Sequence, residues 1–194
     1  MLQLAEDTLV SQAVSGDPAA FAQLVESYQA PVYNLAYRLL GSEIEAEDVA
    51  QETFLRAYSH LDSYQPTRSF RTWLLSIAAH ICIDQLRHAG VLHIEGLGAY
   101  EPTSETQDPE TTALTKERDR ELRHLLRHLS PQSRQLIVLR SWYDLSYKET
   151  GRIVGLSENA VKSRLHRARH QLARLAKPIL LLPPSRPRTP VWVA

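Results

Sequence analysis

The chain has 194 residues, 22 basic against 22 acidic side chains and a single cysteine, a length generous for one small helical domain and comfortable for two. No apolar run could span a bilayer, and the N-terminus lacks the basic region and apolar core of a signal peptide, so a cytoplasmic protein without membrane insertion is expected. Cys82 alone can form neither an intramolecular disulfide nor a zinc site, and within IAAHICIDQL it reads as a buried thiol.

In chain order the pattern is helical almost throughout. Residues 6–15 form a short first helix. Asp17-Pro18 reads as an N-cap and first-turn proline opening a helix that runs to about Leu40 and is kinked at Pro31. Its apolar face is Phe21, Leu24, Val25, Tyr28, Val32, Leu35, Ala36 and Leu39, and Gly41 ends it. Ser42 with Glu45 reads as a capping box for a helix continuing to about His60. There Val49, Ala50, Phe54, Ala57 and Tyr58 face inward, while Glu47, Asp48, Gln51, Glu52 and Leu55 face solvent. Residues 61–69, LDSYQPTRS, are a polar loop. A fourth helix runs from Phe70 to Arg87 with Trp73, Leu74, Ile77, Ala78 and Ile81 as core.

The composition then shifts. Residues 89–111 hold Gly90, Gly96, Gly98, Pro102 and Pro109 with several acids, which marks a linker. Helices resume over 112–129 and over 131–143, the second opened by Ser130-Pro131. Residues 178–194 are a Pro-rich tail with Ile179–Leu182 and Trp192 as apolar islands. With no alternating strand pattern, the fold expected is all-α: two small helical domains, 1–88 and 112–177, joined by a flexible linker.

Residues 144–175 carry the most specific signal. Ser146 and Glu149 form a capping box, Gly155 supplies a tight turn over Leu156, and Ser157 caps a second helix. Val161, Leu165, Ala168 and Leu172 make the buried stripe of that helix, and Asn159, Lys162, Ser163, His166, Arg167 and Arg169 lie opposite. The arrangement is a helix-turn-helix whose basic second helix suits the DNA major groove; a solvated basic helix in a bundle is the bland alternative. Gly151 reads as a weak spot costing its helix about 1 kcal/mol.

Charge is polarised along the chain. Residues 1–112 carry five basic and 16 acidic residues, a net of −11, and residues 113–194 carry 17 and six, a net of +11. The basic half suits phosphates, and the acidic half suits a basic protein surface.

At this point the sequence resembles the extracytoplasmic-function sigma factors of bacteria, over roughly residues 10–176. AEDVAQETFLRAY (46–58) with SFRTWLLSIA (69–78) is similar to the family's region 2, and DLSYKETGRIVGLSENAVKSRLHRAR (144–169) to its region 4.2. The resemblance implies a factor that binds core RNA polymerase, directs it to promoter DNA and helps open the duplex. Asp48, Gln51, Glu52 and Phe54 match the segment docking on the clamp helices of the largest subunit, and the second-largest subunit's flap is the implied partner of the C-terminal domain. Charge complementarity fits the first of these contacts. Asp62, Ser63, Tyr64, Gln65, Arg68 and Arg71 match the part that captures the −10 element as single strand, where an extruded base needs a pocket and stacking. Phe70 and Trp73 have core spacing and rank below the loop residues. The family's Arg-Ile-Ala-x-Asn is here Ser76-Ile77-Ala78-Ala79-His80, so His80 is open to two readings, a DNA contact or a structural histidine. Asn159, Lys162, Ser163, Arg164, His166 and Arg167 are the implied −35 readers, divided between base and phosphate contacts.

The resemblance further implies that the linker acids (Glu95, Glu101, Glu105, Asp108, Glu110) thread the polymerase, and that an anti-sigma factor holds the protein inactive. The rival reading is a stand-alone helix-turn-helix regulator with an N-terminal dimerisation or sensor domain. An enzyme reading has little support. Eight histidines are scattered without a metal-like cluster, no Gly-rich phosphate loop is present, and the acids of 43–52 lack loop-type ligand spacing, so neither metal nor cofactor is expected.

Overall fold

A computed structural model describes residues 2–94 and 113–176, with backbone alone for 2–5, 89–94 and 113–119. The chain divides into two compact units, one built from the first four helices and one from the last four. Every regular element among the described residues is a helix.

The first unit contains α1 (Leu2–Val14), α2 (Pro18–Leu40), α3 (Glu43–Ser59), one 3-10 turn at Leu61–Ser63, and α4 (Phe70–Ile94). Asp17 accepts from the N–H groups of Ala19 and Ala20, and the chain leaves α2 at Gly41 in the left-handed region. The Ser42 hydroxyl accepts from Glu45 N–H to open α3. Ser69 does the same for Thr72 at the start of α4, a cap the sequence reading overlooked. Leu24, Val32, Leu35 and Leu39 of α2 meet Val49 and Ala57 of α3 and Leu74, Leu75 and Ala78 of α4 in a fully buried core. Each such leucine contributes about 1.5–3 kcal/mol through burial. Cys82 belongs to this core, and burial drives its thiol well above the usual range.

Three expectations for this unit need correction. The first helix begins at Leu2 rather than residue 6, and α4 runs through Gly90 to Ile94, into the segment read as linker. Glycine weakens a helix by about 1 kcal/mol but does not end one unaided. Tyr58, expected inside, is 58% exposed and lays its ring against Phe21 at 5.0 Å between centroids. Ala46 and Thr53 face inward with Val49 and Ala57, and Thr53 satisfies its buried hydroxyl on the Val49 carbonyl.

The second unit contains α5 (Ala113–Arg127), α6 (Pro131–Trp142), α7 (Tyr147–Val154) and α8 (Glu158–Leu175). Ser130 caps α6, with Pro131 at its first position. Ser146 and Glu149 make the full reciprocal capping box at α7, and Ser157 caps α8. Leu126, Leu136, Val138, Leu139, Val161 and Leu165 form the core. Arg134 is buried beside them. Its Nε donates to the Leu126 carbonyl at 3.1 Å and its Nη2 to the Arg127 carbonyl at 3.3 Å, so a cation closes the C-terminal end of α5. Desolvation, and secondarily Arg127, lowers the Arg134 pKa.

The turn between α7 and α8 overturns the reading of Gly151. Gly155 adopts φ +67° and its N–H returns to the Gly151 carbonyl, which also accepts from Leu156 N–H at 2.9 Å. A Cβ built on Gly151 would lie 2.5 Å from the Leu156 backbone oxygen. Glycine at this position is what lets the turn fold back over its own helix. The acidic linker residues and the Pro-rich tail lie outside the described residues.

Candidate polymerase and nucleic-acid interfaces

On α3 the matched residues separate into two groups. Asp48 and Gln51 are exposed, whereas Glu52 and Phe54 are half-buried, Glu52 pairing with Arg56 at 2.7 Å. Ile44, Asp48, Gln51, Leu55 and Tyr58 follow four- and three-residue steps, so they share one face of the helix. Ile44 is 59% and Leu55 64% exposed. The face is therefore an apolar stripe interrupted by an acid and an amide, with Phe54 on its flank. Sequence reasoning named Asp48, Gln51, Glu52 and Phe54, placed Leu55 toward solvent without giving it a role, and passed over Ile44. The available signal was an isoleucine and a leucine placed on the face opposite the core in a helix otherwise well segregated.

The loop that follows is held by aromatic packing. Tyr64 lies against Phe70 at 5.7 Å and Trp73 at 5.4 Å between ring centroids, and its hydroxyl donates to the Arg68 carbonyl at 2.7 Å. Phe70 also packs on Tyr28, whose hydroxyl donates to Glu6 of α1 at 2.7 Å. Burial, then the Glu6 hydrogen bond and charge, pushes the Tyr28 phenol above its usual range. Burial, then the Asp7 and Glu6 carboxylates, does the same for Tyr64, with Arg68 opposing. Phe70 and Trp73 are core residues, as their spacing suggested. Tyr64 is half-buried and forms the outer wall of that cluster. Asp62, Ser63 and Gln65 are exposed, Ser63 donating to the His60 carbonyl, and Arg68 and Arg71 are half-buried. His80 points to solvent from α4, so it is no buried structural histidine.

On α8 the polar face is well defined. Val161, Leu165 and Ala168 are buried, Leu172 is half-buried, and Asn159, Lys162, Ser163, His166, Arg167 and Arg169 are exposed. Lys162 pairs with Glu158 at 2.9 Å and stands 5.3 Å from the centroid of Tyr147, over which Arg140 also lies at 4.9 Å. One ring thus steadies two cations at the mouth of the helix-turn-helix. Arg140 in turn reaches Asp144, which sits at φ 49°, a left-handed position that aspartate tolerates. Arg164 differs from its neighbours. It is half-buried and donates to Gln132 of α6 at 3.1 Å, on the flank where Gln171 donates to the His128 carbonyl at 3.0 Å. Those two contacts fix the roll of α8, and with it the direction in which the polar face points.

Sequence comparison gives this geometry its class. Sigma-70 region 2 matches residues 24–91 and Sigma-70, region 4 matches residues 119–172, so both units are of the sigma-70 type. Over 174 residues the chain is 36% identical to the ECF RNA polymerase sigma factor SigW of Bacillus subtilis (strain 168), spanning 85% of this chain and 93% of that one. It is also 36% identical over 163 residues to the ECF RNA polymerase sigma factor SigE of Mycolicibacterium smegmatis, spanning 81% of this chain and 63% of the relative. The chain belongs to the ECF group of the sigma-70 family. Among solved structures, CnrH in complex with the cytosolic domain of CnrY aligns with TM-score 0.69 and 29% identity, over 88% of this chain and 96% of that one. The sigma factor RpoE of Bartonella quintana, in complex with the anti-sigma factor NepR, shares the fold at TM-score 0.68 and 24% identity, over 80% and 95% of the two chains.

Proposed function

We propose that this sigma factor binds core RNA polymerase through the first unit and reads promoter DNA with both. The observation that carries the proposal is the polar face of α8. Asn159, Lys162, Ser163, His166 and Arg167 stand exposed opposite a spine of Val161, Leu165 and Ala168 that is at most 2% exposed. A helix anchored so firmly on one side can enter a major groove without rearranging, and its arginine and lysine can reach guanine edges or phosphates. Arg164 enters the proposal in a different role from its neighbours: tied to Gln132, it positions α8 and reaches at most a flanking phosphate.

The first unit supplies the other two activities. The α3 face of Ile44, Asp48, Gln51 and Leu55 docks on the clamp helices of the polymerase's largest subunit, with Glu52 and Phe54 at its margin. Burial of the two aliphatic side chains supplies affinity, and the carboxylates select a basic partner. Asp62, Ser63 and Gln65 meet an unpaired −10 base over the Tyr64 wall, and Arg68, Arg71 and His80 face the strand. The second unit docks on the flap of the second-largest subunit.

The same exposed surfaces suit an anti-sigma factor, and relatives of this fold are known in such complexes. The protein acts by binding rather than by catalysis, in the cytoplasm; no helix among the described residues is long and apolar enough to cross a membrane.

Transcription from a promoter library with purified core polymerase, with and without the protein, tests the proposal. Initiation from templates sharing one −35/−10 pair is the expected result. Specific duplex binding by the free protein, with no transcript and no association with core enzyme, would instead make it a stand-alone regulator.

A further inference from the structure

His124 in the last turn of α5 and His128, one residue past the end of that helix, are four residues apart and both exposed. Residues at this spacing share a helix face. Here their Nε2 atoms approach to 3.3 Å, with the rings nearly perpendicular and 4.9 Å between centroids. The contact is a hydrogen bond in which one ring's Nε2 donates and the other's accepts, and an imidazole nitrogen with an available lone pair is a metal ligand. The separation is also that of a chelate. A tetrahedral zinc ion bound at its usual distance holds two imidazole nitrogens about 3.3 Å apart.

We propose that His124 and His128 form a two-imidazole chelate for a divalent transition-metal ion of the zinc, nickel and copper class. Imidazole suits these ions, whereas the hard cations calcium and magnesium prefer oxygen. Among the described residues no third histidine, cysteine or carboxylate joins the pair, so water completes the coordination sphere and the ion remains exchangeable. The surroundings are basic: Arg123 and Arg127 flank the pair and Arg134 binds the Arg127 carbonyl. These charges weaken the site but do not abolish it. The pair is exposed, so water screens these charges.

The position gives binding a consequence within the fold. His128 ends the same turn whose carbonyls Arg134 closes, and its own carbonyl accepts from Gln171 of α8. An ion bridging His124 and His128 clips that turn into helix and so steadies the seam on which α8 rests. The inference concerns the second unit alone and does not depend on promoter recognition.

Titration of the full-length protein with nickel and zinc chlorides by calorimetry, alongside copper-induced broadening of histidine ring signals by NMR, tests it. One equivalent should bind, the broadened rings should be His124 and His128, and the melting midpoint should rise with metal concentration as mass action requires. His124→Ala and His128→Ala should each weaken binding by more than about tenfold, the loss expected for a group at least as important as an outer-shell ligand. Both side chains are exposed, so circular dichroism of the variants should be unchanged. Absence of saturable binding, broadening centred on His166 and His170 of α8, or full affinity in either variant would each overturn the proposal.

Discussion

The two units solve the same problem, presenting polar side chains to a partner, by opposite means. The second places its recognition face on one helix, with a buried stripe on one side of α8, a polar face on the other, and Arg164 and Gln171 setting the roll. The first distributes its proposed −10 surface over several elements. Glu6 of α1 holds Tyr28 of α2, Tyr28 supports Phe70 of α4, and Phe70 with Trp73 supports Tyr64 in the loop. A single-helix face is as stable as the spine behind it. A relayed surface is as stable as its weakest contact, and can be altered from positions that touch no DNA.

The largest effect is expected at Leu165. Truncation to alanine removes a side chain 2% exposed from the only spine α8 has, and should cost about 2–5 kcal/mol. The second unit should unfold at lower denaturant, while signals of α1–α4 melt unchanged. A single shared transition shifted for both would show the two units to be one cooperative body. Gly151→Ala follows. Helix propensity alone promises a gain of about 1 kcal/mol, yet the Cβ would meet the Leu156 carbonyl oxygen at 2.5 Å, and overpacking against backbone costs about 1–3 kcal/mol. Urea denaturation decides the sign. A more stable variant would mean that the turn shifts freely and that close approach does not fix the angle between α7 and α8.

Much of this was legible in the sequence, and the pattern of what was not is instructive. Asp17, Ser42, Ser130, Ser146 with Glu149, and Ser157 all cap helices as read, because a cap depends on residues within one turn of each other. The polar face of α8 was readable for the same reason, since 3.6-residue periodicity separates it from the spine. Misreadings fell where the deciding contact lies outside the local window. Gly151 looked like a defect until the turn brought Leu156 back over it, and Arg134 drew no reading because its partners, the carbonyls at the end of α5, lie outside its local window. Tyr58 reads as core by type, but Thr53 and Ala57 already fill the inward face of α3. The bracing of the 61–69 loop by α1 was invisible, because Glu6 and Tyr28 are 22 residues apart.

Leu55→Ser alters the exposed face of α3 without touching either core. The side chain is 64% exposed, so stability should change by no more than about 0.5 kcal/mol. If Leu55 anchors the docking face, affinity for core polymerase should fall about tenfold, equivalent to about 1.4 kcal/mol. Competition with a labelled reference sigma factor measures it, and unchanged affinity would confine docking to the polar residues.

Tyr64→Phe makes the smallest change and tests the relay most directly. The ring keeps its packing on Phe70 and Trp73, and only the donation to the Arg68 carbonyl is lost. A neutral hydrogen bond at a half-buried site contributes about 0.5–1.5 kcal/mol, too little to unfold the unit but enough to loosen a loop. Hydrogen exchange should therefore quicken around residues 64–68 while α2 and α3 stay protected, and open-complex formation should slow with no change in polymerase affinity. Alkali should reproduce the effect in the parent protein. The folded state holds the Tyr64 and Tyr28 phenols neutral above their ordinary pKa of 10.0, so the unfolded chain loses these protons first and stability falls as pH rises past that value. The alkaline loss through Tyr64 should shrink in the phenylalanine variant and remain through Tyr28. If the variant instead loses all of it, the loop hydroxyl rather than the Glu6–Tyr28 brace carries the link between α1 and the 61–69 loop.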